Sequence, residues 1–216
     1  RGIDRGAALP VGPRMALRAR VGLFWGDALS AMVHQTRPYE ASPGATDALR
    51  QKWLDLLGRD LAQGRNLTGW GILRRCREMA ADFRSLPVKP GRRQVIAVTG
   101  DIYTKNCHLG NRDLVRWLES HGCEAAVNGM SWYMLYYIDT HLDVWPLPLR
   151  LGGRLLGAWL ERLQRRMLTI LQQAGFSVLP PFSQWKRQAQ GLSPMGCAIG
   201  AGWLMTAEMA GWVRIG

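Results

Sequence analysis

Apolar residues in the first half of the chain recur at the three- and four-residue spacing of helices. Val21–His34 is mostly apolar and reads as a helix, weakened by Gly22 and Gly26. The segment QTRPYE (Gln35–Glu40) stops it, because Pro38 disfavours helical backbone at Arg37. A second helix follows, with Leu49, Trp53, Leu56, Leu57 and Leu61 on one face, Thr46 or Asp47 as its cap and Gly64 at its end. A third runs from about Thr68 to Ser85. Its stripe is Ile72, Leu73, Cys76, Met79, Ala80 and Phe83, which makes Cys76 a core residue.

The grammar then changes. Prolines and Gly91 break the chain, and Gln94–Thr99 is a short β-branched run that reads as a buried strand. A helix over Asn111–His121, capped by Asn111 and stopped by Gly122, leads to CEAAV (Cys123–Val127), the next strand. Strand, loop, helix and strand within about thirty residues describe a βαβ unit and hence a parallel pair with a right-handed crossover.

Further on, Ser131 caps a helix reaching about Leu142, and Pro146 and Pro148 end that region. Leu149–Ala174 is a long amphipathic helix. Leu156, Trp159, Leu160, Leu163, Met167, Ile170 and Leu171 form one face, and Arg150, Arg154, Arg162, Arg165 and Arg166 project from the other. A solvated face over a core is the ordinary reading of such a helix, and attachment to a membrane surface is the alternative. GFSVLPP (Gly175–Pro181) reads as a third short strand. Gly196–Gly202 reads as a backbone-approach loop, Trp203–Val213 as a helix, and the closing VRIG as the start of another strand.

The expected fold is therefore α/β: a Rossmann-like βαβ parallel sheet with flanking helices and an N-terminal helical segment. Residues 1–90 form the helical segment, 91–180 the α/β core, and 181–216 the start of a further, truncated α/β segment.

At 216 residues and 47% hydrophobic, the chain can bury a substantial core. Its net charge of +12 points to an anionic partner. The basic residues are almost all arginines and are spread along the chain, so a solvated basic surface accounts for most of them. Nucleic-acid binding rests on charge alone, without a recognition motif. The longest uncharged run, Gln188–Ala207, is too rich in Gly, Ser, Gln and Pro for a transmembrane segment. Cys76, Cys107, Cys123 and Cys197 are scattered without a C-x-x-C pair, which suits reduced thiols in the cytoplasm. The N-terminus shows no signal peptide and no starting methionine, so a fragment is expected.

Ligands of parallel sheets bind beyond the carboxyl ends of the strands. That places the loop after Gln94–Thr99 toward a ligand, with Gly100, Asp101, Tyr103, Asn106 and Asn111 as its candidates. No Walker or G-x-G-x-x-G pattern is present, although amides following Asn111 offer an anion site. Asp101 suits either orienting a substrate or binding its own loop's amides. Cys107 next to His108 is neither a nucleophilic dyad nor a complete metal site, and is kept as a single candidate metal ligand. Arg37 and Tyr39, in a proline-fixed turn, and Glu208, in the last helix, are further candidate contacts.

Three segments, GDALSAMVHQTRPYE with the following TDALRQKWL, VTGDIYTKNCHLGNRDLVRWLESHGCEAAV, and GAGWLMTAEMAGWV, resemble acyl-CoA dehydratase activase-related proteins, kin of the 2-hydroxyacyl-CoA (2-hydroxyglutaryl-CoA) dehydratase subunits. The resemblance implies a Rossmann-like fold and a role in iron–sulfur-dependent electron transfer to such a dehydratase. It also implies a [4Fe–4S] cluster held by cysteine thiolates in the full-length protein, and dehydratase subunits or further domains of a longer chain as partners. The chain departs from the family at KNCHLGN and at Ala201. It also stops before the cysteine-bearing stretch that typically follows the third segment. The alternative expectation is a non-enzymatic binding module for an acidic partner or a phosphorylated ligand such as coenzyme A, with acyl-CoA as one candidate.

Overall fold

The computed structural model describes residues 12–196 and 200–215. The helices are α1 (Pro13–Thr36), α2 (Ala45–Gln63), α3 (Gly69–Arg84), the short α4 (Ile102–Asn106) and α5 (His108–Asn111), α6 (Leu114–Ser120), α7 (Met130–His141), α8 (Leu147–Gln173), α9 (Phe182–Ala189) and α10 (Gly202–Ile215). The strands are β1 (Gln94–Val98) and β2 (Cys123–Val127), and a 3-10 turn, Arg37–Tyr39, follows α1.

The helices form because their apolar stripes have somewhere to go. Val21, Phe24, Trp25, Ala28, Leu29, Met32 and Val33 of α1 are buried, and they join one core built also from α2, α3, α7, α8, α9 and α10. Ends are capped as the local chemistry dictates. Thr68 Oγ1 accepts the Gly71 amide at the start of α3, and Gly64 closes α2 in the left-handed region at φ 69°. The α2 start differs from expectation: Glu40, not Thr46 or Asp47, accepts the Gly44 and Thr46 amides, at 2.8 and 2.9 Å.

β1 and β2 pair in parallel, Gln94 opposite Cys123 through Val98 opposite Val127. One face of this pair packs on α6 through Val98, Ala125 and Leu118. The other face carries Val95, Ala97, Glu124 and Ala126.

The expected Rossmann-like α/β fold is overturned. The described residues are mostly helical, and a two-stranded sheet is all the sheet they contain. Gly175–Pro181 is not a strand. The Gln35 side chain takes both backbone groups of Ser177, donating to its carbonyl at 2.9 Å and accepting its amide at 2.7 Å, while Phe176 packs into the helical core. A side-chain amide thus satisfies backbone groups that a strand ladder would have used. The expected final strand is helical as well, since α10 continues to Ile215. The expected helix at Asn111–His121 is broken by consecutive left-handed residues, Arg112 (φ 53°) and Asp113 (φ 54°), and restarts at Leu114. The Gly196–Gly202 loop falls partly on residues 197–199, outside the described residues, and α10 begins at its last residue, Gly202.

The turn after α1 clamps the strand unit to the helices. Arg37 grips Glu119 of α6 through Nε and Nη2, at 2.7 and 2.8 Å, and reaches Asp47 of α2 at 3.2 Å. Arg116 holds the other oxygen of Asp47 at 2.7 Å. Tyr39 donates to Glu124 of β2 at 2.7 Å. The Arg37 and Glu119 side chains are only 10% and 8% exposed, so neither charge is well hydrated without the other. Arg37→Ala should therefore cost roughly 2–4 kcal/mol in urea unfolding, because it strands the Glu119 carboxylate. Arg37→Lys should cost less but not zero, since it keeps the charge and loses the two-pronged geometry.

Candidate functional site

A cleft of about 640 Å³ opens among the described residues. Its floor is the uncovered face of the strand pair, Val95 and Ala97 beside Glu124 and Ala126. The facing wall is made by α1 and α8 with Phe24, Ala28, Ala31, Met167 and Leu171, and the 177–179 segment closes one side. Gln35 pins that segment through Ser177. Arg92 and Arg93 stand where the chain enters β1. Arg93 is partly committed: its amide donates to the Tyr39 hydroxyl at 3.3 Å and its guanidinium lies 5.6 Å from the Tyr39 ring centroid. Arg92 is exposed. The cleft is thus mostly apolar with a basic edge.

Asp27, Glu124 and His34 line it as well. Asp27 of α1 accepts the amides of Met130 and Ser131, at 2.8 and 2.7 Å, and so caps α7 from more than a hundred residues away. Burial nevertheless lifts its carboxyl above the usual aspartate range, and the bonds to Ser131 and Met130 only partly oppose this. Burial likewise raises Glu124, against the hydrogen bond from Tyr39. His34 is held down to about 4, first by burial and then by the charges of Arg37 and Arg50, so its imidazole is neutral at ordinary pH.

Gly129 explains how Asp27 comes so close. A Cβ on Gly129 would lie 2.3–2.7 Å from the Asp27 carboxylate atoms, so only glycine lets the carboxylate reach the first amides of α7.

The carboxyl ends of the strands are closed rather than open. They hold a cavity of only about 10 Å³, lined by Gly100, Asp101, Asn106, Asn128 and Glu208 among others. Lys105 of α4 bridges it to Glu208 of α10, at 3.1 and 3.3 Å, and both side chains are buried. Burial raises the Glu208 carboxyl, with Lys105 opposing. Asp101 caps α4 through the Tyr103 amide at 2.7 Å and also binds the Thr104 hydroxyl. Tyr103 is exposed, and Asn111 donates to the Lys105 carbonyl at 3.0 Å. The structure therefore brings Gly100, Asp101, Asn106 and Glu208 together. It leaves Tyr103, Asn111 and Arg37 away from that cavity, and sets Tyr39 in the cleft beside Glu124 and Arg93.

The Tyr103 hydroxyl, followed by the Gly110 and Leu109 amides, lowers the Cys107 thiol and favours its thiolate. A [4Fe–4S] cluster needs several such ligands converging. Cys76 is sealed in the core, where burial pushes its thiol up to about 12, and Cys123 opens β2. Among the described residues no three His, Cys, Asp or Glu side chains converge to hold a metal, so these residues do not fit the cluster.

No protein-family model, curated protein or solved structure matches the chain. The cleft itself is thus the guide to what the chain does. Its key residues, Asp27, His34, Arg92, Glu124 and Gly129, are not singled out by sequence motifs. The available signal for Asp27 is a lone acid inside the apolar run Val21–Val33.

Two measurements check this geometry. Between pH 6.5 and about 4 the unfolded chain protonates His34 while the folded protein resists, so stability is complete above that window and falls as pH drops through it. His34→Gln should remove on the order of 2 kcal/mol of that pH dependence, read by comparing urea unfolding at pH 7 and 4.5 for both proteins. Gly129→Ala should push Asp27 off the α7 amides and lower stability by about 1–3 kcal/mol, while Gly58→Ala, at a helical glycine with no neighbour within 4 Å, should not lower it.

Proposed function

We propose that this chain is a binding domain whose cleft takes an anionic organic ligand with an apolar arm, acyl-CoA being the candidate of that class. The observation that carries the reading is the cleft of about 640 Å³ between the bare sheet face and α1–α8, apolar inside and edged by Arg92 and Arg93. Its size lies in the range of small-molecule sites. The apolar floor suits an acyl chain, and the arginines suit phosphates at the entrance. The neutral imidazole of His34 offers a hydrogen-bonding group within, without the desolvation cost of a charge.

The resemblance of the three sequence segments to acyl-CoA dehydratase activase-related proteins supports the same ligand class. It also makes 2-hydroxyacyl-CoA dehydratase subunits, or further domains of a longer chain, the natural partners. Free Cys76, Cys107 and Cys123 suit a reducing, cytoplasmic setting. No helix among the described residues is long and apolar enough to cross a membrane. The proposed role is to bind and position such a ligand.

Calorimetry of the chain with butyryl-CoA and with coenzyme A tests the reading. Butyryl-CoA should bind more tightly than coenzyme A, and binding should weaken as salt is raised. Arg92→Glu should weaken it about tenfold through the entrance charge. Ala97→Phe, which fills the floor, should abolish the advantage of the acyl chain while leaving unfolding stability near wild type. Absence of binding heat with both ligands, or equal affinity for butyryl-CoA in wild type and Ala97→Phe, would remove the proposal.

A further inference from the structure

The first half of the long helix α8 gives Leu156 to the core but leaves its other leucines outside it. Leu160, Leu163, Met167, Ile170 and Leu171 are buried, whereas Leu147 is 65%, Leu151 52%, Leu155 75% and Trp159 40% exposed. These exposed residues follow one another at intervals of four, so they form one stripe about 18 Å long on the helix surface. Val144 and Leu149, at the corner that joins α7 to α8, are exposed as well. The four-residue spacing gathers the stripe on one face, unlike apolar residues scattered singly over a protein exterior.

Its neighbours along α8 are cationic, and the exposed Asp143 is an acid at the corner. The α8 sequence contains Arg150, Arg154, Arg162, Arg165 and Arg166 and one acid, Glu161, which Arg165 engages at 2.7 Å. Arg154, Arg162 and Arg166 are exposed beside or beyond the stripe. The helix also begins at this corner without a side-chain cap and without an acid in its first turn, so its positive end is uncompensated. The whole chain carries +12. Trp159 stands at the border of the stripe, and arginine stems can lie along it while their heads reach outward.

We propose that the α7–α8 corner and the first half of α8 dock the protein on an anionic phospholipid surface. The leucines enter the boundary between headgroups and acyl chains, Trp159 sits at that boundary, and Arg154 and Arg162 meet the phosphates, while Arg150 is held by the Asp143 and Trp145 carbonyls. The helix lies along the surface and does not span it, in keeping with the absence among the described residues of a helix apolar enough to cross. The charge complementarity selects acidic lipid: an apolar partner surface would leave these arginines without counterions. This surface is separate from the cleft and stands whether or not the cleft binds acyl-CoA.

Co-sedimentation of the full chain with vesicles tests it. Vesicles of phosphatidylglycerol and phosphatidylcholine should carry the protein down, and pure phosphatidylcholine vesicles should carry down much less. Leu151→Ser with Leu155→Ser, both exposed and outside the core, should weaken binding about tenfold or more without lowering unfolding stability. Arg154→Glu should weaken it by about fivefold or more, and raised salt should do likewise. No sedimentation with the acidic vesicles would overturn the proposal. So would undiminished sedimentation of the double serine variant, which would mean attraction by charge alone. Light scattering that shows a dimer dispersed by the serine substitutions would also overturn it, by assigning the stripe to self-association.

Discussion

The reach of the Asp27 carboxylate from the middle of α1 to the first amides of α7 is the constraint around which the cleft is built. A helix start leaves amides without partners, and Asp27 supplies acceptors for two of them. Doing so ties α1 to the point where β2 ends and α7 begins. The tie fixes the distance between the α1 wall and the sheet floor, and hence the width of the cleft. Its local cost is visible in the carboxyl, which burial holds above the usual range even though it receives two amide bonds. It also demands glycine at position 129, because any side chain there would occupy the carboxylate's place.

A second set of contacts works one turn beyond the end of α1. Arg37 and Tyr39 hold α6 and β2 through Glu119 and Glu124, and Asp47 brings in α2. Together with Asp27 they attach the strand unit at separate points, which a parallel pair of five-residue strands needs. Such a pair has little core of its own: Val98, Leu118 and Ala125 are its buried apolar centre, and Val95 is half exposed on the other face. Polar clamps therefore do for this unit what apolar burial does for the helices, and the bare sheet face is left available as a cleft floor.

The helical body was legible because periodicity is local. Trp53 and Leu57, or Ile72, Cys76 and Met79, declare one face within a few turns, and these residues are buried as that spacing demands. The two strands were legible for a related reason, as short apolar runs between breakers. The fold class was not, because the number of strands in a sheet is decided by partners distant in sequence. Phe176 and Val178 suit a strand as residues, yet Gln35 takes the backbone of Ser177 between them. The cleft was equally hidden: Asp27 with Met130, and Tyr39 with Glu124, meet across spans that no motif records. The place of the Gly100–Gly110 loop in a parallel sheet predicts a ligand-facing role. There Asp101 caps α4 and Lys105 is buried against Glu208 beside a small cavity, while the larger cleft lies on the sheet's face.

The arginine content takes on a different meaning once positions are known. Arg37 and Arg116 are spent on carboxylates within the fold, as is Arg75, which lies 2.7 Å from the buried Asp60. Arg92, at the cleft edge, and Arg154 and Arg162, on α8, are exposed. The excess charge is therefore uneven in its availability: it is neutralised where helices meet and free beside apolar surface. An arginine next to a bare leucine or an open apolar floor favours ligands that combine negative charge with hydrocarbon, since either property alone would satisfy only part of the surface. The cleft and the exposed half of α8 are distinct places, but that pairing of chemistry is common to both.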